Sequence, residues 1–75
     1  MTQYRLTCRT LEIGEGLYMV TVSASRIEAP REGGFSRQAE CRSPSEAQWL
    51  REILVDQVRT AVEAVGGSVT DIRLE

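Results

Sequence analysis

Residues 43–67 read SPSEAQWLREILVDQVRTAVEAVGG, and this stretch decides the fold. Ser43 is a typical N-cap, Pro44 suits the first helical position, and Glu46 stands three residues after the cap, as in a capping box. An apolar repeat with helical spacing follows, and it stops at the closing pair of glycines, which readily adopt the left-handed conformation that ends a helix. The stretch therefore predicts one long helix from Pro44 to Val65.

One side of this helix forms an apolar stripe at 100° per residue, and we expect that stripe to face the core. Its members are Ala47, Leu50, Leu54, Val58, Ala61, Val62 and Val65. Arg51 lies beside the stripe, and its long side chain should extend past the edge of the sheet. On the opposite side, Arg59 has the spacing to pair with Asp56 and Glu63.

Trp49 and Ile53 lie outside the apolar stripe, one helical turn apart, on the flank that leads to the acidic residues Glu52 and Asp56. Two interpretations stay open. The third strand or the long loop could fold over both side chains. Alternatively, they form a contact site for another chain, because Trp is the residue most enriched at binding hot spots and isolated apolar patches mark interfaces.

The rest of the chain alternates between apolar and polar residues, a period of two that indicates strands. The predicted strands are a first one from Tyr4 with an end or a bulge near Thr10, then Leu17–Arg26, Phe35–Arg42 and Val69–Leu74. Residues 28–34 contain a proline and two glycines and predict a loop. We therefore expect a single α+β domain over residues 1–75, a β-β-β-α-β antiparallel sheet with the helix on one face.

The uncovered face of this sheet should be polar, with arginines and hydroxyl groups. Arg5 and Arg9 belong to it from the first strand and Arg42 from the third. Arginine and hydroxyl groups contact phosphate, so these three arginines define an alternative nucleic-acid surface. Proteins that bind single strands usually stack bases on aromatic side chains, and this face has none.

The residue types exclude several kinds of chemistry. The 75 residues carry a net charge of −2, contain no His, and include nine basic residues that are all Arg. Histidine general-base chemistry, histidine metal ligation and lysine Schiff-base chemistry are therefore absent. No constellation indicates a catalytic residue, a metal site or a cofactor, so the chain is predicted not to be an enzyme.

The two cysteines, Cys8 and Cys41, fall on inward positions of two strands and are expected to be buried structural thiols. A disulfide between them would require those strands to be neighbours. No apolar run approaches the length that spans a bilayer, and the first residues lead straight into a strand pattern rather than a signal peptide. We therefore expect a cytoplasmic setting and no membrane partner.

The strand-strand-strand-helix-strand order resembles that of small antitoxin domains of the HicB type. The likeness includes the helix start, where Ser43, Glu46 and Ala47 follow a Ser-x-x-Glu-Ala pattern. Those domains usually carry a Pro-Gly-Cys-like segment on the third strand, and residues 35–39 of this chain, FSRQA, lack it. The resemblance is therefore one of topology.

These features predict a non-enzymatic protein-protein interaction module, such as a small regulator or inhibitor. Trp49 and Ile53 would anchor a partner protein, and Glu52 and Asp56 would form an acidic rim that favours a basic partner. The alternative function is nucleic-acid binding on the open sheet face. Two further hypotheses are self-association as a homodimer through a sheet edge and an enzyme subunit whose site needs a partner to complete it.

Overall fold

The computed structural model describes residues 1–32 and 34–75, so Gly33 of the predicted loop lies outside the described residues. The fold is α+β, with one helix packed on a four-stranded sheet. In chain order the elements are β1 (Thr2–Gly14), β2 (Leu17–Arg26), β3 (Gly34–Cys41), α1 (Pro44–Ala64) and β4 (Gly67–Leu74).

Helix α1 begins and ends where the local signals place it. Ser43 has an extended backbone, and its hydroxyl accepts a hydrogen bond from the backbone N–H of Glu46 at 3.2 Å. The Glu46 carboxylate accepts from the backbone N–H of Arg42 at 3.3 Å, one residue before the position that a capping box would use. Val65 is the C-cap, and Gly66 has the expected positive φ of 79°. The predicted caps are confirmed.

The sheet is mixed, so the prediction of a purely antiparallel sheet was wrong. The strand order is β3-β2-β1-β4, and β4 pairs with β1 in parallel while the other two pairs are antiparallel. The reason is the crossover through α1. A long helix returns the chain to the end of the sheet where β3 began, so the next strand runs in the same direction as β3 and β1.

Strand β1 continues beyond Thr10, where the sequence predicted an end or a bulge. It pairs with β2 without interruption to Glu12, and the register shift lies between Glu12 and Gly14. Leu11 keeps its place in the strand, paired with Met19 on the face away from the helix, and Ile13 lies at the register shift; both Leu11 and Ile13 are exposed. The change in alternation after Thr10 therefore comes from an apolar residue on the open face and not from the end of the strand.

The core lies between α1 and the central strands. Its fully buried side chains are Leu6, Cys8, Val20, Val22, Val58 and Val62. Four members of the predicted helical stripe are buried, Leu50 and Ala61 are half-buried, and Val65 is 60% exposed. The prediction for Val65 was wrong because this residue is the cap, and its backbone has already left the helical conformation.

Strand β4 is an edge strand that the helix covers only in part. By register, Ile72 lies beside Leu6 and Leu74 lies beside Cys8, so both point to the side of the sheet that carries α1, as predicted. Both nevertheless remain exposed. This half-covered edge and the open face are the parts of the sheet that contact water.

The two cysteines are buried and free. Strand β2 separates the strands that carry Cys8 and Cys41, so the neighbouring arrangement that a disulfide would require does not exist. The Cys41 thiol donates to the backbone oxygen of Ser43 at 3.6 Å, at the start of α1. Burial raises the pKa of the Cys8 thiol, and the positive charge of Arg51 opposes that rise.

Candidate functional site

Trp49 lies on the outer surface of α1, six residues after the N-cap Ser43. Its side chain is 62% exposed, although a ring of this size is usually the most valuable group a small core can bury. Ile53 follows one turn later on the same flank and is half-buried. The exposure expected from the phase of the helix is confirmed.

The interpretation in which β3 or the long loop folds over Trp49 was wrong. Phe35 and Ala39 of β3 pack against the buried core instead, on the inner side of the helix. Phe35 also stacks on Tyr4 with ring centroids 6.1 Å apart. The aromatic side chain that β3 offers is thus used inside the domain, and the indole remains at the surface.

Two exposed carboxylates lie on the same outer surface of α1 as the indole. Glu52 lies three residues after Trp49, Asp56 lies three residues after Ile53, and both are exposed. Within the described residues, neither carboxylate takes part in an ion pair, because the pairs present all lie on the open sheet face. The predicted pairing of Arg59 with Asp56 and Glu63 was therefore wrong. Both carboxylates therefore face solvent.

The open sheet face carries the arginines of the alternative nucleic-acid surface, and the structure pairs two of them with carboxylates. Arg5 Nε lies 2.7 Å from Asp71, and Arg9 lies 2.9 Å from Glu75. Arg73 also approaches Asp71, at 3.4 Å. These hydrogen bonds and charges hold the pKa of Asp71 below its ordinary value, with the Arg5 hydrogen bond as the largest cause. The acidic partners come from the end of the chain because β4 lies beside β1.

The three arginines do not form one cluster. Arg5 and Arg9 are four residues apart on β1, which is about 13 Å along a strand. Arg42 lies beyond the end of β3, two strands away, at the turn that leads into α1. The nucleic-acid hypothesis stays a prediction, but two of its three cations already have carboxylate partners.

Sequence reasoning placed Met19 on the open face but missed Leu11 beside it, and together these two residues form an apolar patch there. Leu11 and Met19 are directly paired across β1 and β2, and Leu11 also lines a shallow cavity with Arg9 and Thr21. The signal was present, because these residues share the parity of Arg9 and Thr21. It was interpreted as a break in the strand.

In the described part of the chain, no helix has the length and apolar character needed to cross a bilayer. No protein-family model, no curated protein and no solved structure matches the chain. What the site does is therefore inferred from its own geometry.

Proposed function

We propose that this chain is a non-enzymatic protein-interaction module, and that the outer surface of α1 binds a partner protein with a basic rim around an apolar pocket. The observation that carries the proposal is the exposed indole of Trp49 beside two unpaired carboxylates. We place this role in the cytoplasm, the setting that the sequence analysis predicts.

Burial of the indole alone would not provide enough free energy for stable binding. Burying its exposed part would contribute about 3–4 kcal/mol at ~25 cal/mol per Å². Association loses about 4 kcal/mol or more through translational and rotational freedom. Ile53 and the two carboxylates must therefore also contribute to the binding free energy. We expect the partner to contact Ile53, Glu52 and Asp56 as well as Trp49.

The charge of the surface selects the kind of partner. Glu52 and Asp56 have no cation of their own among the described residues, so a partner that brings Arg or Lys would satisfy them and approach faster at low salt. A second copy of this chain fits less well, because a symmetric contact would place the same carboxylates opposite each other. A phosphate backbone is repelled by them for the same reason.

Trp49 is the single tryptophan of the chain, so its fluorescence reports the proposed contact directly. The test begins with affinity capture from the native host on three immobilised proteins: the wild type, Trp49→Ala and Leu74→Ala. Leu74 is a matched control because it is 67% exposed and lies on β4, away from this surface. A candidate partner is a protein retained by the wild type and by Leu74→Ala but lost with Trp49→Ala.

The candidate is then purified and titrated into the wild type. We expect the Trp49 emission to shift to shorter wavelength as the indole leaves water, and the affinity to fall as salt rises. Trp49→Ala should keep its free energy of unfolding within about 0.5 kcal/mol of the wild type, as surface substitutions do. If that variant unfolds, or if the emission does not move on binding, the surface has a different role.

A further inference from the structure

A second candidate site lies on the other flank of α1, where the helix meets the distal half of the β1–β2 hairpin. A cavity of about 290 Å³ lies on the open face, and another of about 270 Å³ lies on the helix side. The lining of the second, which we call the Arg51 cavity, is Thr10, Tyr18, Pro44, Ala47, Gln48 and Arg51. The Arg51 cavity is small for a ligand pocket and fits a molecule of modest size.

Arg51 is the cation of this cavity and has no carboxylate partner among the described residues. Arg51 is half-buried as a residue and lines the cavity together with Thr10 of β1 and Tyr18 of β2. The five donors of a guanidinium without a counter-ion match a planar acceptor with two oxygens.

The other lining groups divide into polar and apolar. Thr10 contributes a hydroxyl and Gln48 an amide, and neither side chain makes a hydrogen bond to another described residue. Pro44, Ala47 and the ring of Tyr18 provide apolar walls. Thr10 and Gln48 are exposed, so together with Arg51 they line the cavity with three polar groups that make no hydrogen bond to another described side chain, beside an apolar surface.

We propose that the Arg51 cavity binds a small organic acid, with its carboxylate on the Arg51 guanidinium and its short apolar body against Tyr18 and Ala47. A carboxylate is favoured over a phosphate for two reasons. There is one guanidinium, which matches one planar carboxylate. Glu12 lies directly across from Tyr18 on the same face of the sheet, and its negative charge would repel a dianion more strongly than a monoanion.

The test is an amide-shift titration of the isotope-labelled full chain with sodium butyrate at constant ionic strength. We expect saturable shifts centred on Thr10, Ala47, Gln48 and Arg51, with a dissociation constant in the millimolar range. Butyramide, which has the same shape without the charge, should produce no saturable shift. Arg51→Gln should weaken butyrate binding about tenfold or more, because it removes the charge-assisted hydrogen bonds.

Three matched variants make the result specific. Arg59→Gln removes another half-buried arginine of α1 that does not line the cavity, and it should leave butyrate binding unchanged. Glu12→Gln should tighten binding, because it removes a nearby negative charge. Trp49→Ala should have no effect, so this inference and the proposed partner surface succeed or fail separately.

The proposal is overturned if butyrate binds Arg51→Gln as tightly as the wild type, or if butyramide binds as tightly as butyrate. A parallel titration with inorganic phosphate separates the two kinds of anion. If phosphate shifts the same residues at lower concentration than butyrate, the site recognises a tetrahedral oxyanion and the assignment to organic acids is wrong.

Discussion

Substitution of the adjacent glycines Gly66 and Gly67 should destabilise the fold for different reasons, and this difference tests how the helix is joined to β4. Gly66 has a positive φ of 79° and no neighbouring atom within 4 Å of where a Cβ would stand. Gly67 is buried and has no positive φ, but an added Cβ would stand 2.5 Å and 2.8 Å from ring atoms of Tyr4 and 2.9 Å from Val62 Cγ1. Glycine is required at position 66 for its backbone conformation, and at position 67 because a side chain would not fit.

The size of the effect at Gly67 follows from these distances. Apolar carbon atoms pack at about 3.5–4.0 Å, so a methyl group at this position is roughly 1 Å too close to two side chains at once. Tyr4 and Val62 are both buried, and the ring of Tyr4 also packs on Phe35, so neither can simply rotate into solvent. Gly67→Ala should therefore destabilise the fold by about 2 kcal/mol or more, in the range of overpacked cores.

Gly66→Ala should lose about 1 kcal/mol, because an L-residue is strained in the left-handed region. Asparagine separates the two cases. It accepts a positive φ better than alanine, so Gly66→Asn should recover part of the loss. Asparagine is larger than alanine, so Gly67→Asn should destabilise the fold more than Gly67→Ala.

The assay is equilibrium unfolding in urea, followed by circular dichroism. A chain of 75 residues has a free energy of unfolding of roughly 4–11 kcal/mol. With a urea dependence of about 1 kcal/mol per M, the loss expected for Gly67→Ala moves the midpoint by about 2 M. If Gly67→Ala unfolds within about 0.5 kcal/mol of the wild type, or if asparagine restores stability at Gly67, the close packing of Tyr4 against this residue is not as described.

Two further predictions concern the ends of α1 and β4. Ser43→Ala removes the acceptor of the Glu46 N–H and should lose about 1 kcal/mol in the same urea assay, whereas Ser43→Asp keeps an acceptor and should retain most of the stability. The pKa of Asp71 is lowered in the folded chain, so its contribution to stability is present above the ordinary carboxyl range and is lost as pH falls through the lowered pKa. Asp71→Asn should therefore flatten the pH dependence of the urea midpoint below the ordinary carboxyl pKa, and an unchanged slope there would show that Arg5 does not stabilise the folded chain through this carboxylate.

The helix could be predicted from the sequence because its signals are local. The hydroxyl of Ser43 and the left-handed Gly66 act within one turn of the helix, and no distant contact is needed to interpret them. Val65 was misplaced because a helical wheel extrapolates past the last helical residue. The alternation of β1 gave the correct inward residues Tyr4, Leu6 and Cys8, since a period of two depends only on the strand itself.

The order and direction of the strands could not be predicted in the same way. Alternation indicates which face of the sheet a residue lies on, but it does not indicate which strand lies beside it. The parallel pairing of β4 with β1 depends instead on where the α1 crossover ends. The same limit applies to the sites. Helical phase was enough to place Trp49 at the surface, whereas the Arg51 cavity and the pairing of Arg5 with Asp71 join residues from distant parts of the chain.

Trp49 lies outside the buried side of α1 and is not part of the core. The buried side of α1 is already filled by Ala47, Leu54, Val58 and Val62, and the fold needs no aromatic group on the other side. A tryptophan that is 62% exposed lowers solubility and contributes little to packing, so a polar residue would serve the isolated domain better. The two carboxylates at Glu52 and Asp56 are equally unused within the described chain. The partner surface that we propose would account for an apolar anchor and unpaired charges on one flank of the helix.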